Sequence, residues 1–262
     1  MSRGDNGSRI RPERLSLSEI AARAKRLTDS YFRACGLPLD IISISFDAVY
    51  DQIIYPQFGI KLYEDHDLGF DEAGKKILGA YDPTDDACYI DRSLDHSDPR
   101  RPFTCWHEVG HAMLQGKWLR RELSRLRRQG VLVTTESSLD MATSDVLEWQ
   151  ANNYAAHAAA PTCLLALVID QVFRPTRFFR FCGPGTYTLD VMGRLTAFEI
   201  TSLNDLCRQI ARPIQRRFGF LSIEALSYRI EQLPIFNDVT KPAFHLHRVV
   251  PSMPAYTPMA PV

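Results

Sequence analysis

Pro102-Phe103-Thr104-Cys105-Trp106-His107-Glu108-Val109-Gly110-His111-Ala112-Met113-Leu114 governs how the rest of the chain is read. The stretch reads as a helix. Positions four apart share a helix face, so His107 and His111 present two imidazoles to one point. That is the two-histidine half of a zinc site. Glu108, next to the first ligand, can reach a water on the ion and take its proton. Phe103, Trp106, Val109, Gly110 and Met113 are apolar or small, so a largely buried helix is predicted. A competing reading has two hydrogen-bonded histidines on a half-buried helix with Glu108 at the surface. A third ligand would decide between them.

Asp145-Val146-Leu147-Glu148-Trp149-Gln150-Ala151-Asn152-Asn153-Tyr154-Ala155-Ala156 supplies one on a second strongly helical segment. Ala151, Ala155 and Ala156 are small enough for two helices to approach closely, as a carboxylate needs if it is to reach an ion held by another helix. Glu148 is the candidate, against the alternative of an exposed helix glutamate. Two histidines and one glutamate leave the fourth position of a tetrahedral ion to water, the pattern of a catalytic rather than a structural zinc.

Composition sets the outer bounds. The 262 residues are 45% hydrophobic and 24% charged, which suits one large domain or two small ones with a real core. The formal net charge of +0 argues against a polyanion binder. Six scattered cysteines (Cys35, Cys88, Cys105, Cys163, Cys182, Cys207) form no Cys-x-x-Cys pair and read as free buried thiols in a reducing compartment. The polar, basic start has no signal-peptide run, and no stretch is apolar enough to span a bilayer. A cytoplasmic protein with no membrane partner is expected.

Taken in order, residues 1–14 read as a disordered N-terminus. Ser16 opens a helix with Glu19 completing a capping box, and Cys35-Gly36 ends it. Leu39 to roughly Tyr55 is apolar and reads as a second helix. Ile60 to Glu64 alternates like a strand; Lys76–Tyr81 and Ala87–Asp91 read as a hairpin turned at Asp82-Pro83-Thr84-Asp85-Asp86. A small antiparallel sheet is therefore predicted beside the histidine helix. It either binds extended peptide along an edge or merely backs the helix. Lys117–Arg128 is a basic helix, more readily a solvated face than a nucleic-acid reader. Gly130–Thr135 reads as a short strand. His157 reads as a packed, hydrogen-bonded histidine, with oxyanion binding the sharper alternative. His245 and His247 lie in a Pro-rich tail read as disordered.

The pattern His107-Glu108-Val109-Gly110-His111, then Glu148-x-x-Ala151-Asn152-x-Tyr154-Ala155-Ala156 and Pro161, resembles the ImmA/IrrE family of zinc metallopeptidases. The segment Phe218–Leu233, a serine-capped helix with Arg229-x-x-x-Leu233, is similar to the family's closing segment. The resemblance covers about residues 17–165 and 205–236. It implies an α+β, mostly helical, zincin-like fold. It divides the chain into a metallopeptidase domain (15–165), an insertion of unassigned structure (166–204), a helical C-terminal segment packed on the core (205–236) and the Pro-rich tail (237–262). Three departures stand out. Ala158-Ala159-Ala160 replaces a bulky apolar stretch, the linker between the two metal helices is longer, and no repressor-type DNA-binding domain precedes the peptidase.

The expected activity is a zinc-dependent endopeptidase. His107, His111 and Glu148 hold Zn²⁺, and Glu108 is the general base. By resemblance the substrate is a specific protein, often a transcriptional repressor of the helix-turn-helix kind, cut under a stress or mobile-element signal. The alternative is a zinc-binding regulatory or toxin–antitoxin-like interaction protein without turnover. A third reading, a DNA-binding regulator using the basic helix and the C-terminal segment, has Arg229 and Tyr228 as its only base-reading candidates and is disfavoured.

Overall fold

A computed structural model describes residues 12–35, 44–71, 73–128, 141–173, 179–218 and 221–238. The predicted Gly130–Thr135 strand, the start of the Leu39–Tyr55 segment, residues 1–11 and the Pro-rich tail beyond 238 lie outside them. The fold is α+β and mostly helical, with small sheets.

Helix α1 (Leu17–Cys35) starts at the predicted capping box: the Ser16 N–H donates to Glu19 Oε2 at 2.7 Å, and the Glu19 N–H to Ser16 Oγ at 3.3 Å. Its buried positions Ile20, Ala24, Leu27, Thr28 and Tyr31 follow one helical face, which packs on α5 (Met141–Ala159). The second apolar segment is helical from Phe46 to Phe58, but in three pieces: α2 (Phe46–Val49), a π turn (Tyr50–Ile54) and α3 (Tyr55–Phe58). Pro56 accounts for the widened turn. It has no N–H for the Gln52 carbonyl and its ring crowds that oxygen, so the ladder slips to i→i+5 before it. Gly59, at φ 69°, caps α3 in the left-handed conformation and turns the chain into β1 (Lys61–His66).

The predicted hairpin is present as β2 (Gly79–Asp82) antiparallel to β3 (Ala87–Asp91). The sheet is nevertheless mixed rather than antiparallel. Its order is β1-β3-β2, and β1 runs parallel to β3 with Tyr63 opposite Tyr89. Of the three strands, β3 is the most buried, so it takes the centre, and β1 joins its far side by a crossover. Alternation marks strands but carries no pairing order. Asp91, buried at the end of β3, holds the crossover loop by accepting from the Leu68 and Ser93 N–H groups and from Lys76.

The histidine helix, α4 (Arg101–Arg128), absorbs the basic stretch as its own C-terminal half. Its start is fixed by Arg101, 3% exposed, whose guanidinium bonds Glu64 of β1 (Nε–Oε1 2.8 Å) and Asp47 of α2 (Nη2–Oδ1 3.0 Å). In the basic half, Arg120 pairs with Asp86 and Arg125 with Glu122, so those charges are tied to the fold.

Within 166–204 the described residues, 166–173 and 179–204, carry defined structure. They continue α6 (Thr162–Phe173), then form β4 (Phe179–Phe181) and the hairpin β5 (Gly185–Val191) to β6 (Arg194–Ile200). Strand β4 pairs in parallel with β7 (Phe236–Asp238). Helices α7 (Leu203–Ile214) and α8 (Ile223–Glu231) bury Leu206, Cys207, Ile210, Ile214, Leu226 and Ile230. Arg229 is 1% exposed. It donates to the Ala160 carbonyl at 3.0 Å, Thr162 Oγ1 at 3.3 Å and Gln232 Oε1 at 2.7 Å, tying α8 to the negative end of α5. It is therefore not a base-reading side chain. All six cysteines are free; Cys88, Cys105 and Cys207 are buried, while Cys163 and Cys182 are exposed, unlike the expected buried thiols. Among the described residues no single helix is long and apolar enough to cross a membrane.

Replacing Arg101 by Met should cost on the order of 2–3 kcal/mol in urea unfolding, because it strands two partly buried carboxylates. A second expectation concerns pH. Burial, together with the charge of Arg229, pushes the His157 pKa from the ordinary 6.5 to about 3. The folded state thus binds this proton less readily than the unfolded chain. The stability contribution is complete above pH 6.5 and is lost as pH falls towards 3. His157→Gln should therefore flatten the fall in unfolding free energy between pH 6.5 and 4.5.

Candidate metal centre

Helices α4 and α5 build the centre. Gly110, between the two histidines, makes their approach close: a Cβ there would sit 3.1 Å from the Ala151 carbonyl oxygen and 3.2 Å from Ala151 Cα. Ala151 and Ala155 are fully buried. These small residues bring the backbones together, and Glu148, one turn before Asn152 on α5, reaches the imidazoles on α4.

His107 Nε2 lies 3.2 Å from Glu148 Oε2, and His111 Nε2 lies 3.2 Å from Glu148 Oε1. The two Nε2 atoms are 3.0 Å apart. The three residues offer ligand atoms within 4.8 Å of one another, the arrangement the sequence predicted. Burial alone would push the Glu148 carboxyl up, but hydrogen bonds and charge from His107 and His111 hold it well below the usual carboxylate range. Burial likewise disfavours a charged His111, yet Glu148 and Glu108 outweigh it and raise its pKa.

The remaining ring nitrogens fix the tautomers. His107 Nδ1 donates to Asn152 Oδ1 at 3.1 Å, and His111 Nδ1 donates to Gln115 Oε1 at 2.7 Å. Both acceptors are amide carbonyls, so Nδ1 carries a proton, and Nε2, once it gives up its own proton to a cation, offers a lone pair. Two such lone pairs 3.0 Å apart cannot hydrogen-bond to each other, and with a carboxylate they form the donor set of a divalent cation. In a tetrahedral zinc site, bonds of about 2.0–2.1 Å put ligand atoms about 3.3 Å apart. The observed spacings are close to that, so the residues fit the ion.

Sequence reasoning missed Gln115. It accepts from His111 and donates to the Leu147 carbonyl at 2.7 Å, next to Glu148, so one amide braces both metal helices. The signal was present: 107, 111 and 115 continue one helical face at four-residue spacing. Glu108 is buried at 5% exposure rather than lying at the surface. His157 packs in the core near Arg229. His245 and His247 lie outside the described residues.

No family model matches the sequence, and no curated protein does. Among solved structures the chain is similar to a Mycobacterium tuberculosis transcriptional regulator, with 15% sequence identity and a TM-score of 0.45. The likeness covers 82% of this chain and 57% of the regulator's, so the chain spans little more than half that protein's length.

Gln115→Ala and Asn152→Ala should each lower zinc affinity by roughly ten- to a hundredfold, since each releases a ligand imidazole from its partner. Competition against a chelating dye measures this. Affinities equal to wild type would mean that the Nδ1 bonds do not orient the ligands.

Proposed function

We propose that this protein is a zinc-dependent endopeptidase with a zincin-like, ImmA/IrrE-type metal centre. The observation that carries the reading is the convergence of His107, His111 and Glu148, from two helices, at 3.0–3.2 Å, with Glu108 buried beside them. His107, His111 and Glu148 would hold the zinc ion, which would supply Lewis acidity towards a scissile carbonyl and an attacking water. Glu108 accepts that proton and returns it to the leaving amine, a role that suits a carboxylate fixed next to the first ligand. Asn152 and Gln115 hold the imidazoles in the ligating tautomer.

The sheet supports a peptide substrate. Strand β2 is at its edge, and Gly79, its first residue, lies against Glu108. An extended peptide adding to the other side of β2 would pass the carboxylate and the metal ligands. The substrate class is a specific protein, a transcriptional repressor by family resemblance, and regulation of transcription under stress is the corresponding role. The buried Arg229 weighs against DNA reading by α8. The free cysteines fit the reducing cytoplasm.

Metal analysis with two variants tests the reading. Wild type and Glu108→Gln should each carry about one equivalent of zinc, and Glu148→Ala should lose most of it. Incubated with a panel of helix-turn-helix repressors, wild type should cut one of them at a single site and Glu108→Gln should cut none. A Glu108→Gln protein that keeps full biological effect would instead establish a zinc-binding regulator without turnover.

A further inference from the structure

Glu108 is seated against a missing side chain. Gly79 is in ordinary extended backbone, without the positive φ that usually calls for glycine, so conformational freedom does not explain it. Space does. A Cβ at Gly79 would lie 2.5 Å from Glu108 Oε1, 3.0 Å from Glu108 Cδ and 2.7 Å from Thr104 Cγ2. Thr104 and Glu108 are one turn apart on α4, and the head of β2 lies across both. A glycine in a strand commonly marks such a close approach. The same strand meets α4 again at Gly116, where a Cβ would lie 2.6 Å from Tyr81 Oη. There the group given room is a phenol bonded to Asp86; at Gly79 it is the carboxylate.

We propose that Gly79 is a positioning residue for Glu108: the bare backbone at the head of β2 is the seat that sets where the general base holds its carboxylate. The proposal rests on the reading of Glu108 as that base. Two of the three groups in this contact are backbone or a short side chain, Gly79 and Thr104. The exception is the Glu108 carboxylate, at the end of a flexible chain. A methyl group at 79 would therefore displace the carboxylate in preference to the strand. The three nearest atoms it meets belong to Glu108 and Thr104, and none to His107, His111 or Glu148.

The test uses the full chain loaded with Co²⁺, whose visible spectrum reports the donor set, and acetohydroxamic acid as the probe. This acid chelates a divalent metal through both oxygens and gives up its hydroxyl proton as it does so. Its affinity therefore reports a carboxylate placed beside the metal, with no need of a substrate. Gly79→Ala should keep one equivalent of cobalt and bind the probe roughly ten- to a hundredfold more weakly, the worth of one charge-assisted hydrogen bond. Glu108→Gln should weaken it similarly, and Gly79→Ala added to Glu108→Gln should cost nothing more.

Wild-type affinity in Gly79→Ala would overturn the proposal, as would a further loss in the Glu108→Gln background. If Gly79→Ala fails to hold cobalt, Gly79→Ala with Thr104→Ser relieves the second contact and carries the test. Loss of cobalt from both would show that Gly79 serves the fold alone, again overturning the proposal. Wild-type affinity in Glu108→Gln itself would instead remove Glu108 from the metal's neighbourhood, and the peptidase reading would fall first.

Discussion

Everything at the candidate metal centre depends on how closely α4 and α5 pack. A carboxylate on one helix reaches two imidazoles on another only if the backbones nearly touch. Here they do, because Gly110 faces Ala151 with no side chain between them. The cost of a glycine inside a helix, about 1 kcal/mol relative to alanine, is offset by burial along the rest of the contact. Trp106, Val109, Ala151, Tyr154 and Ala155 are all fully buried. On the sheet side, β2 covers the carboxylate of Glu108, while Glu148 is half exposed, so one side of the centre is dry and the other faces solvent.

Around that contact, polar groups do what apolar packing cannot. Amide carbonyls from Asn152 and Gln115 choose the imidazole tautomer, and Gln115 extends the choice to α5 through the Leu147 carbonyl. Arg101 pins the first turn of α4 to β1 and α2, which fixes the axial position of both histidines. Arg229 does the same for the far end of α5, bonding the Ala160 carbonyl where the helix stops. Each metal helix is thus held at one end by a buried guanidinium and to its neighbour by small residues, a rigid frame for ligands that must agree to a fraction of an ångström.

The sheet adds a third wall. Its centre is β3, the most buried strand, and its β2 edge lies on the α4 face that carries Glu108. Antiparallel pairing places β2 there by a tight turn, while β1 arrives by a crossover and runs parallel to β3. The result sets the helix that carries His107, Glu108 and His111 beside a strand edge whose backbone groups face outward from the sheet.

The sequence by itself determined the local features. Four-residue spacing put His107 and His111 on one face, the Ser16–Glu19 pair started α1, and the Asp82–Asp86 turn closed the hairpin. Glu148 was legible too, through the Ala-rich helix that carries it. These are short-range signals, set by helix and strand periods and by capping chemistry. Tertiary structure alone decided that β1 pairs in parallel with β3, that Pro56 opens a π turn, that 166–204 holds a hairpin, and that Arg229 is buried. Only the folded chain set Gly79 against Glu108 as well. The reason is physical: periodicity records which side of an element is apolar, whereas strand order and the meeting of a glycine with a carboxylate 29 positions away depend on how separate elements share one core.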